Sequence, residues 1–299
     1  MTRNFIVYTN HKKDLDGQLS IYVQQYFEQL GHTCTIIQDD YRLGDPAVAA
    51  AKAPAADVEA MIVLGGDGTL LRASKASVAW NVPIIGVNLG SLGYMAQVDR
   101  DELDEALLRI HNKQYQISQR MLLSVAQTSA SQTLQTDGIQ TSILSDRILN
   151  DVAITRGGSL KLLVFEVYVN GHFFYEYHAD GILLSTPVGS TGYSLSAGGP
   201  ICSPDTQLIL LTPICAHSIA KGSVVLSADD EVEIRIPCAR DSGEQCVELA
   251  IDGRAEQPLC TGQRLCVHKS KEIVKLLTLE EKSFLDVFSQ KMAASVLRA

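Results

Sequence analysis

No stretch of the chain reaches the roughly 18–20 apolar residues that a membrane-spanning helix needs, and Gln207 to Ala216 is interrupted by Thr212 and Pro213. No signal-peptide core or small-residue cleavage site follows Met1-Thr2-Arg3-Asn4 before charge returns at Lys12 and Lys13, so the expected compartment is the cytoplasm. The cysteines, Cys34, Cys202, Cys215, Cys238, Cys246, Cys260 and Cys266, are odd in number and include no Cys-x-x-Cys pair. That pattern disfavours a zinc site and a disulfide framework, and the thiols read as reduced, mostly core residues. Basic charge is short as well: 25 Lys+Arg against 34 Asp+Glu leave a net charge of -9. A broad nucleic-acid surface is excluded, and any anionic ligand must be held by local groups. Neither Gly-x-x-x-x-Gly-Lys-Ser/Thr nor Gly-x-Ser-x-Gly occurs, which removes P-loop and α/β-hydrolase chemistry.

What remains is an ordinary globular composition, with 46% hydrophobic and 20% charged residues over 299 positions, enough for two domains. In the first third, apolar runs at Phe5 to Tyr8, Thr33 to Ile37, Ala60 to Leu64 and Pro83 to Val87 alternate with helical spacing at Leu15 to Leu30, Thr69 to Ala79 and Asp101 to Ile110. Such alternation predicts a mostly parallel sheet covered by helices. The Ala-rich segment Ala47 to Ala56 fits a helix or a loop. Beyond Tyr115 the period shortens, and Gln116 to Ala126, Leu160 to Val169, Phe173 to Tyr177, Glu231 to Ile236 and Val247 to Ile251 read as strands. Asn170-Gly171 predicts a type I′ hairpin. Thr128 to Ser142, rich in Ser, Thr and Gln, reads as an exposed loop. Helical spacing returns over Glu280 to Ala294.

Three motifs carry chemistry. Gly65-Gly66-Asp67-Gly68-Thr69 follows an apolar strand and opens a helical pattern, the order of a phosphate-facing turn. The acid inside it suits a proton acceptor or a group acting through a divalent cation. Gly86 to Gly93 is a second glycine-rich turn on the same sheet edge. Asp180 to Ser196 crowds hydroxyls and glycines around Tyr193, which suits ribose, phosphate and a stacked base. Asn150-Asp151 offers paired donors and acceptors, or a plain turn. Asp252-Gly253 reads as a hairpin tip, and His178 and His217 lie near the motifs.

In this order, Gly65 to Thr69, Asn150-Asp151 and Thr186-Pro187-Val188-Gly189-Ser190-Thr191-Gly192-Tyr193 resemble the motifs of NAD kinases over almost the whole chain. The first motif is shared with lipid kinases and phosphofructokinases; the set is specific. The resemblance implies a Rossmann-like α/β amino-terminal domain (1–114), a β-rich NAD-binding domain (115–277) and a terminal helical segment (278–299) returning to the first domain. It implies transfer of the γ-phosphoryl group of ATP to the 2′-hydroxyl of the adenosine ribose of NAD, with Asp67 as general base and Mg²⁺ or another divalent ion as cofactor. Gly65, Gly66, Gly68 and Thr69 would bind phosphate. NAD would meet Asp67, Gly68, Arg72, Asn150, Asp151, His178, Asp180, Thr191, Gly192, Tyr193, Ser194, Leu195, Ser196 and Arg254. Metal ligands are not identified. The chain departs from the common pattern at Asp151, Val188, Gly192 and Arg254, where Glu, Thr, Ala and Gln are frequent. The family forms homodimers and homotetramers, and neither a nucleic-acid nor a membrane partner is expected. Rival readings are a diacylglycerol-type lipid kinase and a non-catalytic NAD(P) sensor.

Overall fold

The computed structural model describes residues 1–40, 42, 48–49, 52–54, 57–90, 93–130, 139–158, 161–217, 221–238, 243–279, 284–286 and 288–289. Half of the Ala-rich 47–56 segment and most of the terminal 280–294 pattern therefore lie outside the described residues. Met1–Arg120 with Val274–Ala299 form one compact unit, and Met121–Ile273 form another.

The first unit alternates strand and helix. It runs β1 (Asn4–Thr9), α1 (Gln18–Gln29), β2 (Thr33–Gln38), β3 (Ala60–Gly65), α2 (Asp67–Trp80), β4 (Ile84–Asn88), β5 (Val98–Asp99) and α3 (Leu103–His111). β2, β1, β3 and β4 lie side by side and parallel, with β5 along β4. Helices cover such a sheet, so its inner strands read as unbroken apolar runs rather than as alternation; every residue of β3 and β4 is buried. Phe5 of β1 stacks on Phe27 of α1 with ring centroids 4.0 Å apart, and Leu64, Val87 and Leu107 join the same core. Because the strands share one direction, the loops after β1, β3 and β4 emerge at one sheet edge, where open α/β sheets take ligands.

The second unit is built from antiparallel strands. In chain order these are β6 (Gln116–Ala130), β7 (Ile139–Ile148), β8 (Asp151–Arg156), β9 (Leu163–Val169), β10 (His172–Ala179), β11 (Gly181–Ser185), β12 (Leu208–Ile214) and β13 (Val224–Ser227). The short helix α4 (Tyr193–Ser196) precedes β12. β14 (Val232–Arg235), β15 (Cys246–Ile251), β16 (Arg254–Ala255), β17 (Leu259–Cys260) and β18 (Arg264–Thr278) follow. One sheet has the order β13-β12-β11-β8-β15-β16, with β17 on β15; in the other, β10, β9, β14 and β18 are neighbours. Inward residues of the strands, among them Ile154, Phe165, Tyr177, Leu184, Leu249 and Val267, form one core.

Two expectations change. Thr128 to Ser142 is not a loop throughout: β6 continues to Ala130, β7 resumes at Ile139, and Thr128 pairs with Thr141. A half-exposed antiparallel pair tolerates polar side chains, which local composition cannot distinguish from a loop. Nor are all thiols reduced core residues. Cys246 and Cys260 form a disulfide, because the β15–β17 register sets them opposite each other, and Cys215 and Cys238 are exposed.

The Asn170-Gly171 hairpin forms with both residues at positive φ, 51° and 76°. Asn170 also donates from Nδ2 to Asp230 (2.7 Å) and accepts from the Glu231 amide (2.9 Å). Asn170→Ala should cost about 1–2 kcal/mol, since alanine adopts this conformation reluctantly. A urea midpoint equal to that of the wild type would contradict this.

Candidate active site

β3 delivers the chain into the glycine turn. A Cβ on Gly65 would stand 2.4 Å from Thr69, so only glycine allows α2 to start so close to the strand. Gly66 is extended (φ -126°, ψ -172°), its carbonyl accepts from Thr69 and Leu70, and Asp67 begins the helix. The amides of a first helical turn have no partner within the helix and favour negative charge. The Asp67 carboxylate turns to the loop after β4, where Oδ2 accepts from the Tyr94 amide (2.6 Å) and Oδ1 from the Met95 amide (3.1 Å). Gly93 makes room for it: a Cβ there would lie 2.0 Å from Oδ1.

Arg72, one turn along α2, has its guanidinium on Asp39 at the end of β2, with Nε 2.8 Å and Nη2 2.5 Å from the two carboxylate oxygens. That bond holds Arg72 more firmly protonated than usual. Tyr8 (2.8 Å) and Asn10 (3.1 Å) donate to the same carboxylate. Asp39 therefore fixes where Arg72 sits.

In the second unit, Asn150 immediately precedes β8 and Asp151 opens it, beside the β15–β16 hairpin. Asp252, at the hairpin tip with φ 50°, accepts from the Asn150 amide (2.8 Å) and the Leu149 amide (3.3 Å). In return, its own amide donates to the Asp151 carbonyl (2.9 Å). The Thr186 amide donates to the Asn150 carbonyl (2.9 Å), while the Thr186 hydroxyl accepts from the Gly189 amide (3.1 Å). A Cβ on Gly189 would stand 2.1 Å from the Asn150 carbonyl, and one on Gly192 3.9 Å from Asp151 Oδ2. Asn150, Asp151 and the Thr186–Gly192 segment thus form one tight cluster. Asp151 is only 6% exposed; burial first, and the Asp252 charge second, push its carboxyl up to about 7.

Asp180 pairs with Arg156 (3.1 Å) and leads into β11. His178 Nε2 lies 2.9 Å from Glu176. Tyr193 is 44% exposed, whereas the Ser194 hydroxyl is buried against Thr212 (3.1 Å), so Ser194 offers a ligand only its main chain. Thr191 returns its hydroxyl to the Val188 carbonyl (3.2 Å). Leu195 is half-buried, and Ser196 and Arg254 are exposed.

Sequence reasoning missed the supporting shell: Asp39, Gly93 and Asp252. The glycine-rich turn after β4 was a signal for Gly93. Asp252-Gly253 forms the hairpin tip its sequence predicts, but neither it nor Asp39 signals its supporting role, because those roles depend on partners about 100 and 30 residues away.

Residues 9–115 match the ATP-NAD kinase N-terminal domain and residues 149–279 the ATP-NAD kinase C-terminal domain. The chain belongs to the NAD kinase family. It is 37% identical over 291 residues to an NAD kinase of Agathobacter rectalis, covering 97% of this chain and 98% of that protein. To an NAD kinase of Lachnoclostridium phytofermentans it is 34% identical over 289 residues, covering 97% and 98%. The fold is that of yeast NADH kinase complexed with NADH (TM-score 0.71, 20% identity, 98% of this chain and 88% of that one). It is also that of an Archaeoglobus fulgidus NAD kinase in complex with ATP (TM-score 0.67, 20% identity, 96% and 98%). The match to the C-terminal family domain sets aside the lipid-kinase reading, and NAD kinases are phosphotransferases.

Two outcomes follow. Gly93→Ala puts a methyl group where the Asp67 carboxylate rests; with Asp67 as the general base proposed below, a displacement of about 1 Å should lower kcat by about 100-fold, and an unaltered kcat in a folded variant would count against that role. Asp151, with its pKa raised by folding, binds more protons in the native state than in the unfolded state between about pH 4 and about pH 7. Native stability therefore falls as pH rises through that window, by an amount on the order of a few kcal/mol. Asp151→Asn removes the loss, so its melting temperature relative to wild type should be higher at about pH 8 than at about pH 4.5. An equal difference at both would contradict it.

Proposed function

We propose that the NAD kinase activity of this chain uses Asp67 as the general base. The γ-phosphoryl group of ATP passes to the 2′-hydroxyl of the adenosine ribose of NAD as its bond to the β–γ bridging oxygen breaks, and ADP and NADP are released. The supporting observation is the carboxylate at the head of α2, oriented by two main-chain amides beside a turn that glycines leave open. A ribose hydroxyl is a weak nucleophile at neutral pH, and a carboxylate within hydrogen-bond reach takes its proton as the oxygen–phosphorus bond forms. Each Asp67 oxygen spends one acceptor site on an amide and keeps another for that proton.

The donor phosphates would lie on the Gly65–Thr69 turn, where first-turn amides and the Arg72 guanidinium oppose their charge. Asn150 and the Thr191–Ser196 segment would hold the dinucleotide's adenosine, with the exposed Tyr193 ring as a stacking face. Near neutrality Asp151 exchanges a proton, so it donates as well as accepts toward a base or ribose group. Asp180, His178 and Arg254 complete the proposed contacts. Among the described residues no three His, Cys, Asp or Glu side chains converge on a metal position. A turn with one carboxylate facing a triphosphate still fits Mg²⁺, which is commonly held by one or two carboxylates and the phosphates themselves. When bound, the ion supplies charge neutralisation on the phosphates. Among the described residues no helix is long and apolar enough to cross a membrane. Action in the cytoplasm as a homodimer or homotetramer is supported by the family resemblance.

Asp67→Asn should lower kcat by about 100- to 10,000-fold in an assay coupled to NADP formation, while calorimetry finds NAD binding within about threefold of wild type. Undiminished turnover would remove Asp67 as the base.

A further inference from the structure

Lys13 lies in the loop between β1 and α1, and its ammonium reaches the glycine turn. A Cβ on Gly66 would stand 2.7 Å from Nζ, and one on Gly90 would stand 3.3 Å from it. The charge therefore occupies space that glycines leave between the loops after β3 and β4. The loop carrying it is pinned from several sides. The Asn10 amide donates to the Leu64 carbonyl (3.3 Å), and Asn10 Nδ2 lies 3.1 Å from Asp39 and 3.4 Å from the Thr69 hydroxyl. The Lys13 and Asp14 amides both donate to the Asn10 carbonyl (2.8 and 2.9 Å). Asp14, buried, accepts from the Leu19 and Ser20 amides (2.9 and 3.1 Å) and the Thr9 hydroxyl (3.1 Å).

Lys13 is exposed and makes no ion pair among the described residues. Its ammonium thus stands beside the positive end of α2, an arrangement of like sign that an intervening anion would make favourable. Arg72, by contrast, already has a carboxylate partner. In a chain with a net charge of -9, a cation with no ion pair among the described residues, standing at that turn, is a further group available to a polyphosphate.

We propose that Lys13 binds the polyphosphate chain of the nucleoside triphosphate donor. This rests on the phosphate-binding turn assigned above. Lys13→Met keeps the aliphatic stem and removes the charge, whereas Lys13→Arg keeps the charge. The expected result is a KM for ATP raised about 10- to 100-fold in Lys13→Met, with KM for NAD within about twofold of wild type and partial recovery in Lys13→Arg. Calorimetric titration of the folded variants with ATP alone should give the same weakening without turnover. An unchanged ATP affinity in Lys13→Met, or equal increases in KM for ATP and NAD, would overturn the role of Lys13 while leaving the activity in place. If the wild-type protein forms no NADP from ATP and NAD, the underlying reading fails, and this inference fails with it.

Discussion

The Asp67 carboxylate sits where two loops of a parallel sheet meet, and the role proposed for the first unit depends on its hydrogen bonds to the Tyr94 and Met95 amides. A free aspartate at the head of a helix would sample several rotamers, which would spoil the alignment that the proposed proton transfer needs. Two charge-assisted bonds to backbone fix both oxygens at once, and backbone moves less than side chains do. The contact requires the absence of a side chain at Gly93 and close passage of β3 into α2 at Gly65. The glycines thus serve the acid as well as the proposed phosphate contacts.

The second unit solves a similar problem with a different acid. Asp252 is held by the amides of Leu149 and Asn150, which fixes the start of β8 through backbone atoms. Its charge lies close enough to the buried Asp151 to help raise that carboxyl's pKa toward neutrality. Burying a carboxyl beside another is unfavourable unless one of them keeps its proton. The arrangement makes Asp151 a hydrogen-bonding group whose polarity changes near physiological pH, at the expense of stability above it.

Charge placement follows from the acidic composition. With no general positive field, the chain concentrates its cations at defined points and orients them through neighbours: Asp39 holds Arg72, Asp180 holds Arg156, and a pinned loop presents Lys13. Tyr8 and Asn10, both donating to Asp39, tie β1 and the loop after it into the same network.

The sequence by itself determined the alternation of strands and helices in the first unit, the strand-rich second unit, the Asn170-Gly171 hairpin and the position of Gly65 to Thr69 at a strand–helix junction. Each is written in residues a few positions apart, where periodicity and backbone preference act directly. Only the tertiary structure decided that Cys246 faces Cys260, that the polar run beyond Thr128 continues a strand, that Asp252 supports Asn150, and that Gly93 yields its space to Asp67. Those outcomes depend on strand register and on which loops share a sheet edge. Such non-local pairings leave little trace in local composition, because they are selected by the packing of the whole unit.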